Sequence, residues 1–369
     1  MVGQASVRGA RGTRTIRAAI SRGAGHPLSI ETLEIDEPHD DEVLVRIVAS
    51  GICHTDIDCC DAGSSGAVVL GHEGAGVVVE VGRAVKGMKR GDHVVMSYQS
   101  CGRCAACTEG RPADCKDFWR LNFGFERLDG TNAYAANDVR GHFFGQSSFA
   151  THALATERNI VKVDKALPLA LLAPLGCGLQ TGAGTVMNSL GVKVDQSIAI
   201  FGVGAVGLAA VMAARIVGAS PIIAIDVRPR RLALARELGA THAIDNCKAE
   251  VGTRIARITG NGVDYVVEGT GDVALTRMGR ELLSPGGRMA LLSGGMEAEL
   301  PGGRKVVSVI EGDAVPQHFI PSLIKLWQRG DFPFDRLIRF YGFADINRAI
   351  ADAKRGRTIK PVLRMGEPD

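Results

Sequence analysis

The spacing of apolar residues changes part-way along the chain. Up to about residue 163 they come in short runs: RTIRAAI (14–20), EVLVRIVAS (42–50), VVLGHEGAGVVVEVG (68–82), KGMKRGDHVVMS (86–97) and FATHALATERNIVKV (149–163). These runs are rich in β-branched residues and are separated by turn residues, which predicts an antiparallel or barrel-like β unit. Residues 118–146 break the pattern and read as loop. LAPLGCGLQTGAGTVMNSL (172–190) then starts an apolar helix pattern built on small residues.

From Gln196 strands and helices alternate. SIAIFG (197–202) reads as a strand, LAAVMAARIVGA (208–219) as a helix and PIIAIDV (221–227) as a second buried strand. RRLALARELGA, HAID, VDYVVEG, ALTRMGRELLSPG (274–286) and GRMALLSG continue the alternation, the pattern of a doubly wound parallel sheet. FIPSLIKLWQRGDF and INRAIADAKRG read as late amphipathic helices and TIKPVLRM as a terminal strand.

Between the first strand and helix of this second half lies Gly202-Val-Gly204-Ala-Val-Gly207, with Asp226 nineteen residues further on, near the end of the next strand. That order is the fingerprint of a dinucleotide site. Gly202 permits the tight turn, Gly204 lets the backbone approach a pyrophosphate, Gly207 lets helix and strand pack closely, and the helix N-terminus receives the phosphates. Asp226 would accept hydrogen bonds from the adenosine ribose and repel a 2'-phosphate, which favours NAD over NADP. Arg228, Arg230 and Arg231 nearby temper that preference.

The first half carries metal-ligand residues. Cys101, Cys104, Cys107 and Cys115 follow the spacing C-x2-C-x2-C-x7-C, which can close a tetrahedral four-thiolate zinc site with no open position. An iron-sulfur cluster or two disulfides are the competing readings. A ferredoxin pattern, however, has other spacing and a proline after its last cysteine. Cys53 directly follows a predicted strand and is trailed by His54, Thr55 and Asp56; His72 and Glu73 lie nineteen residues on, and Cys177 sits between glycines. Taken singly, Cys53 and Cys177 could be buried structural thiols and His72-Glu73 a solvated turn. Together, two thiolates and an imidazole would leave a fourth metal position open, the arrangement of catalytic zinc sites, with Glu73 as a further carboxylate nearby.

Composition narrows the class without naming a substrate. At 369 residues, 46% hydrophobic and 22% charged, the chain is long enough for two domains. Its formal net charge of +3 comes without a Lys/Arg block, so no nucleic-acid partner is expected. Arg8, Arg11, Arg14 and Arg17 give the N-terminus a basic flavour, but no signal-type apolar core follows, and residues 1 to about 14 read as a frayed leader. No run has the length of a membrane span, so the expectation is a soluble, cytoplasmic protein. Its nine cysteines would then serve as thiols or metal ligands.

The order of ligand, four-cysteine segment, ligand and glycine turn resembles the zinc-dependent medium-chain alcohol dehydrogenases from about Ile16 to Met365. Gly71-His72-Glu73-Gly74-Ala75-Gly76, with Gly82 and Val85, is similar to that family's zinc signature. IEGDAVPQHFIP and the segment from Phe332 onward resemble its aryl-alcohol branch. The resemblance implies a GroES-like catalytic domain of residues 1–179 and 320–369 around a Rossmann domain of residues 180–319. It also implies two zinc ions and NAD, a primary aryl or allylic alcohol oxidised reversibly to its aldehyde, and a homodimer or homotetramer; the Cys115 to Cys177 segment leans towards a dimer. Carried over residue by residue, it makes Cys53, His72 and Cys177 the catalytic zinc ligands, with Glu73 entering their shell transiently. Asp56 would orient the histidine and Thr55 would take the substrate proton. His54 would lie near the pyrophosphate, Thr181 and Val206 against the nicotinamide, and Lys360 on the phosphates. Where dimeric animal-type members end the proton relay in histidine, this chain has Asp58, so either His54 or Asp58 is the outlet. Ser97, Tyr98 and residues near Leu292 are expected to line the substrate pocket. The rival readings are a polyol or glutathione-adduct dehydrogenase, a zinc-ribbon nucleic-acid module and a non-catalytic NAD-binding sensor.

Overall fold

The computed structural model describes residues 12–62, 66–134, 138–247, 250–260 and 262–366. The first eleven residues of the expected leader lie outside this set, and the first strand begins at Thr13.

The strand Glu42–Gly51 is the hub of the first half. Valine, leucine and isoleucine fill it and nearly every position is buried, as expected of a strand covered on both faces. It pairs antiparallel with Glu73–Val81, His152–Thr156 and the C-terminal strand Lys360–Arg364. Ile338–Gly342 extends the sheet on one side, and His93–Met96 and Ile160–Val163 on the other. A smaller sheet of Ser29–Asp36, Thr13–Ser21, Ala67–Val69 and Val139–Arg140 completes the expected β unit.

Register decides what this sheet brings together. Gly51 stands opposite Glu73, so the chain leaves one strand at Ile52-Cys53 beside the point where it enters the other through His72. Gly71 makes that entry possible. Its φ is +92°, and an added Cβ would lie 2.4 Å from the Phe149 backbone nitrogen.

The second half is the expected doubly wound sheet. Its strands run His242–Asp245, Ile222–Asp226, Ile198–Phe201, Val263–Glu268, Leu283–Leu291, Arg304–Ser308 and Ala298–Leu300. All pair in parallel except the last, an antiparallel edge that the apolar pattern does not announce. A second difference lies at 274–286, expected as one helix. The helix ends at Glu281 and a strand starts at Leu283, because Pro285 cannot continue a helix and Gly286, at φ +77°, lets the chain bulge into the sheet.

One continuous apolar core links the halves, from Ala49, Val95 and Val161 through Leu179 and Ala183 to Ile198, Ile200 and Leu208. The walls between them are therefore held by shared packing and not by a tether alone. Among the described residues no single helix is long and apolar enough to cross a membrane.

Candidate active site

The donor atoms of Cys53, His72, Glu73 and Cys177 all lie within 4.8 Å of one another. Three elements deliver them: the end of Glu42–Gly51, the approach to Glu73–Val81, and the turn before helix Gly178–Gly184. Asp56, fully buried at the start of helix His54–Ala62, fixes two of these at once. Its Oδ2 accepts the Cys53 backbone N–H at 2.9 Å, and its Oδ1 accepts the Gly71 N–H at 3.0 Å and His72 Nδ1 at 2.9 Å. A carboxylate can only accept, so Nδ1 carries a proton and Nε2 is the ring nitrogen left to ligate. His72 Nε2 is buried and has no hydrogen-bond partner within the protein. The thiols complement it: hydrogen bonding to Cys177 holds Cys53 well below the usual thiol range and pushes Cys177 well above it. The pair in effect shares one proton, which a metal ion would displace. Two sulfurs and an orphaned imidazole nitrogen fit a zinc ion.

Glu73 belongs to this cluster, but both its oxygens accept from Lys360 Nζ, at 2.8 and 3.0 Å, and one also accepts the Gly178 N–H at 3.1 Å. Burial alone would depress the Lys360 ammonium; Glu73 and then Cys53 outweigh it and hold the charge in place. Lys360 borders the cleft, yet its ammonium is turned towards Glu73 and the Ile52 carbonyl.

The cleft itself has a volume of about 850 Å³ and runs from Cys53 and Cys177 to the glycine turn. His54, Thr55, Asp58, Thr181, Gly202, Gly204, Val206, Gly207, Asp226 and Arg231 all border it. Thr55 Oγ1 lies 3.9 Å from Cys53 Sγ, while His54 and Asp58 are exposed on the same helix. A Cβ on Gly207 would lie 2.0 Å from the Gly202 carbonyl oxygen, so helix and strand touch backbone to backbone there. At Gly204 the nearest protein atom to such a Cβ is Arg231 Nη1 at 3.7 Å, leaving an open cradle at the helix N-terminus that a phosphate can enter. Asp226 accepts the Val203 N–H at 3.0 Å and the Arg228 N–H at 2.8 Å, with Arg231 3.6 Å away. This bonding fixes the carboxylate at the far end of the cleft.

Two features differ from expectation. Ser97 and Tyr98 are buried outside the cleft lining, where their hydroxyls donate to the Gly176 and Ala314 carbonyls. The wall is formed instead by Phe118, Trp119, Phe123 and Phe144, with Leu292 opposite as expected. Phe144 stacks on the His72 ring at 4.4 Å, held there by a backbone φ of +52°. The second feature is Glu311, which the sequence reading passed over within IEGDAVP. It is buried, borders the cleft and accepts Gln180 Nε2 at 2.9 Å; burial pushes its carboxyl up to about 7. No spacing rule links residue 311 to residues 177–181, and Glu311 stands beside a second acid, Asp313, in a segment that reads as a polar turn.

Cys101, Cys104, Cys107 and Cys115 converge separately, their sulfurs also within 4.8 Å of one another, and none of the nine cysteines forms a disulfide. The Cys101 N–H donates to Cys115 Sγ at 3.2 Å, and backbone N–H groups of Cys107 and then Lys116 bring the Cys104 thiol down to about 6. At Cys104 the amides aimed at sulfur favour the thiolate, the form that binds metal, while burial raises the Cys107 thiol and pushes Cys115 up to about 12.

A cluster of metal-donor side chains on a cleft that reaches a dinucleotide-type glycine turn marks the oxidoreductase class. Residues 39–165 match the alcohol dehydrogenase GroES-like domain and residues 205–312 the zinc-binding dehydrogenase domain. The chain is 44% identical over 361 residues to a geraniol dehydrogenase of Castellaniella defragrans, covering 94% of this chain and 97% of that one. It therefore belongs to the zinc-containing medium-chain alcohol dehydrogenase family. Among solved structures it is similar to an alcohol dehydrogenase zinc-binding domain protein from Burkholderia ambifaria, at 50% identity and a TM-score of 0.91. It is also similar to a benzyl alcohol dehydrogenase from Acinetobacter calcoaceticus, at 42% identity and a TM-score of 0.92. Both likenesses cover 96% of this chain and 100% of the other.

Proposed function

We propose that this protein is a zinc- and NAD-dependent dehydrogenase that interconverts primary aryl or allylic alcohols and their aldehydes. The observation that carries this reading is the aromatic wall: the cleft between the metal-donor cluster and the glycine turn is lined by phenylalanines and a tryptophan, which suit a flat, apolar substrate and not a polyol or a charged glutathione adduct. When bound, the metal supplies Lewis acidity towards an alcohol oxygen and the nicotinamide accepts a hydride.

The chain's own residues do the rest. Cys53, His72 and Cys177 hold one zinc, and Cys101, Cys104, Cys107 and Cys115 hold a second, giving two per chain. Asp56 keeps His72 in the ligating tautomer. Thr55 accepts the alcohol proton and passes it towards His54 or Asp58, both at the cleft surface. Gly202, Gly204 and Gly207 seat the pyrophosphate, Asp226 binds the adenosine ribose with Arg231 beside it, and Thr181 and Val206 face the nicotinamide. Lys360 acts through Glu73, keeping that carboxylate off the open metal position, and adds positive potential to the phosphate side. Residues 1–179 with 320–369 form the metal-bearing unit and residues 180–319 the coenzyme unit, and we expect a homodimer or homotetramer in the cytoplasm. The test is NADH formation with benzyl, cinnamyl, geranyl and short aliphatic alcohols, before and after zinc chelation. Preference for ethanol over benzyl alcohol, or full activity with fewer than two zinc ions per chain, overturns the corresponding part of this reading.

A further inference from the structure

The aromatic wall is a continuous series with direction. From His72 the rings step to Phe144 at 4.4 Å, from Phe144 to Phe123 at 5.1 Å, and from Phe123 to Trp119 at 5.4 Å. The inner members are enclosed, with Phe144 at 4% exposure, whereas Trp119 is 64% exposed although it too borders the cleft. It is the one aromatic among the large apolar side chains left exposed in the described residues. An indole in that condition has unsatisfied apolar area at the outer end of a path that begins at the reacting centre.

Its mounting is firm. Trp119 rides on the short helix Phe118–Phe123, whose first residue is buried and donates its N–H to the Cys115 carbonyl at 2.9 Å. The four-cysteine segment thus anchors the helix directly. Phe118 packs edge-on against the indole at 5.5 Å and Phe123 lies tilted beside it at 5.4 Å, while most of the side chain stays exposed.

We infer that Trp119 is a specificity-determining residue: its exposed face is covered by the hydrophobic tail of the substrate, so the enzyme selects alcohols whose apolar part reaches well beyond the reacting carbon. This rests on the alcohol dehydrogenase reading and adds a length requirement to it. A short allylic alcohol ends near Phe144 and never meets the indole. A ten-carbon isoprenoid alcohol continues along Phe123 and exchanges water for contact with Trp119.

The test compares geraniol with 3-methyl-2-buten-1-ol, which has the same allylic head and no tail, in the zinc-loaded full chain. Trp119→Ala is expected to lower the geraniol-to-butenol ratio of kcat/KM by about tenfold or more, mainly through KM, the scale on which apolar pocket contacts discriminate. Trp119→Phe recovers most of that ratio. In a Trp327→Phe background Trp119 is the sole indole, since the chain has two tryptophans. Its emission should shift to the blue when the unreactive C10 carboxamide analogue binds with NADH, and stay fixed with the C5 analogue. An unchanged ratio in Trp119→Ala, or no blue shift with the C10 analogue, overturns the inference. So does a shift that depends on protein concentration without ligand, which would make the indole a subunit contact. Activity on the short alcohol alone would leave the dehydrogenase reading standing while the length requirement fails; absence of turnover on every alcohol, with zinc and NAD bound, removes both.

Discussion

Cys101, Cys104, Cys107 and Cys115 come from one fifteen-residue segment in which local backbone amides, with that of Lys116, point at the Cys104 and Cys115 sulfurs, whereas Cys53, His72 and Cys177 come from three elements spread over 125 residues. The donor atoms of the two clusters are buried alike, but the first offers four sulfurs, whereas the second offers two sulfurs and an imidazole and opens onto a cleft. On the proposed zinc reading, that difference gives one metal two duties. A local loop closes its own coordination sphere and stabilises the lobe it belongs to. A site assembled from distant strands can leave one position facing a cavity, because no single turn has to wrap the ion.

Substitutions should separate the two sites. The largest effect is expected from His72→Ala, which should abolish alcohol oxidation while NADH binding, followed by fluorescence titration, stays near that of the parent protein. Retained turnover would place the metal elsewhere. Cys104→Ala should act on folding instead. Tm is expected to fall by about 10 °C in calorimetry, which at about 2–4 °C per kcal/mol is a loss of about 3–5 kcal/mol, with the remaining folded fraction still active. An inactive variant with unchanged Tm would reverse the assigned duties.

Smaller effects should come from groups that support each site without ligating. Asp56→Asn removes the acceptor that fixes the His72 tautomer and should weaken zinc retention about 10–100-fold in chelator competition, leaving the Cys104 site's zinc in place. Equal loss from both sites would contradict the separation. The smallest effect concerns pH. His142 is 7% exposed, and burial, with Arg127 and His39 against it and Asp36 and Asp129 only partly offsetting them, lowers its pKa from 6.5 to about 3. Between those values the unfolded chain binds a proton that the folded chain refuses, so stability falls as pH drops below 6.5 and is unaffected above it. At pH 5 the loss is about 2 kcal/mol. His142→Asn, which tolerates the φ of +62° at this position, should flatten that part of a urea-midpoint against pH profile. An unchanged slope would show that His142 is not the group responsible.

Much of the molecule was readable before its coordinates, for reasons that differ by residue. The four-cysteine spacing and Gly202-Val-Gly204-Ala-Val-Gly207 are short patterns whose geometry is set by neighbouring dihedral angles, so the sequence by itself determined a cluster of four sulfurs, a glycine turn at a helix N-terminus and the two kinds of sheet. His72 was weaker evidence until placed with Cys53 and Cys177, and the Gly51 to Glu73 register is the physical link that joins two of the three.

The tertiary structure alone decided which groups face one another across long loops. Glu73 meets Lys360 from 287 positions away, Gln180 meets Glu311 from 131, and Phe144 reaches His72 through a left-handed backbone that no propensity favours. It also set Ser97 and Tyr98 outside the cleft lining and gave the wall to Phe118, Trp119, Phe123 and Phe144, drawn from a stretch that read only as loop. Local backbone chemistry writes itself into spacing. Contacts between distant segments depend instead on how whole layers pack, and no short pattern of residues records that packing.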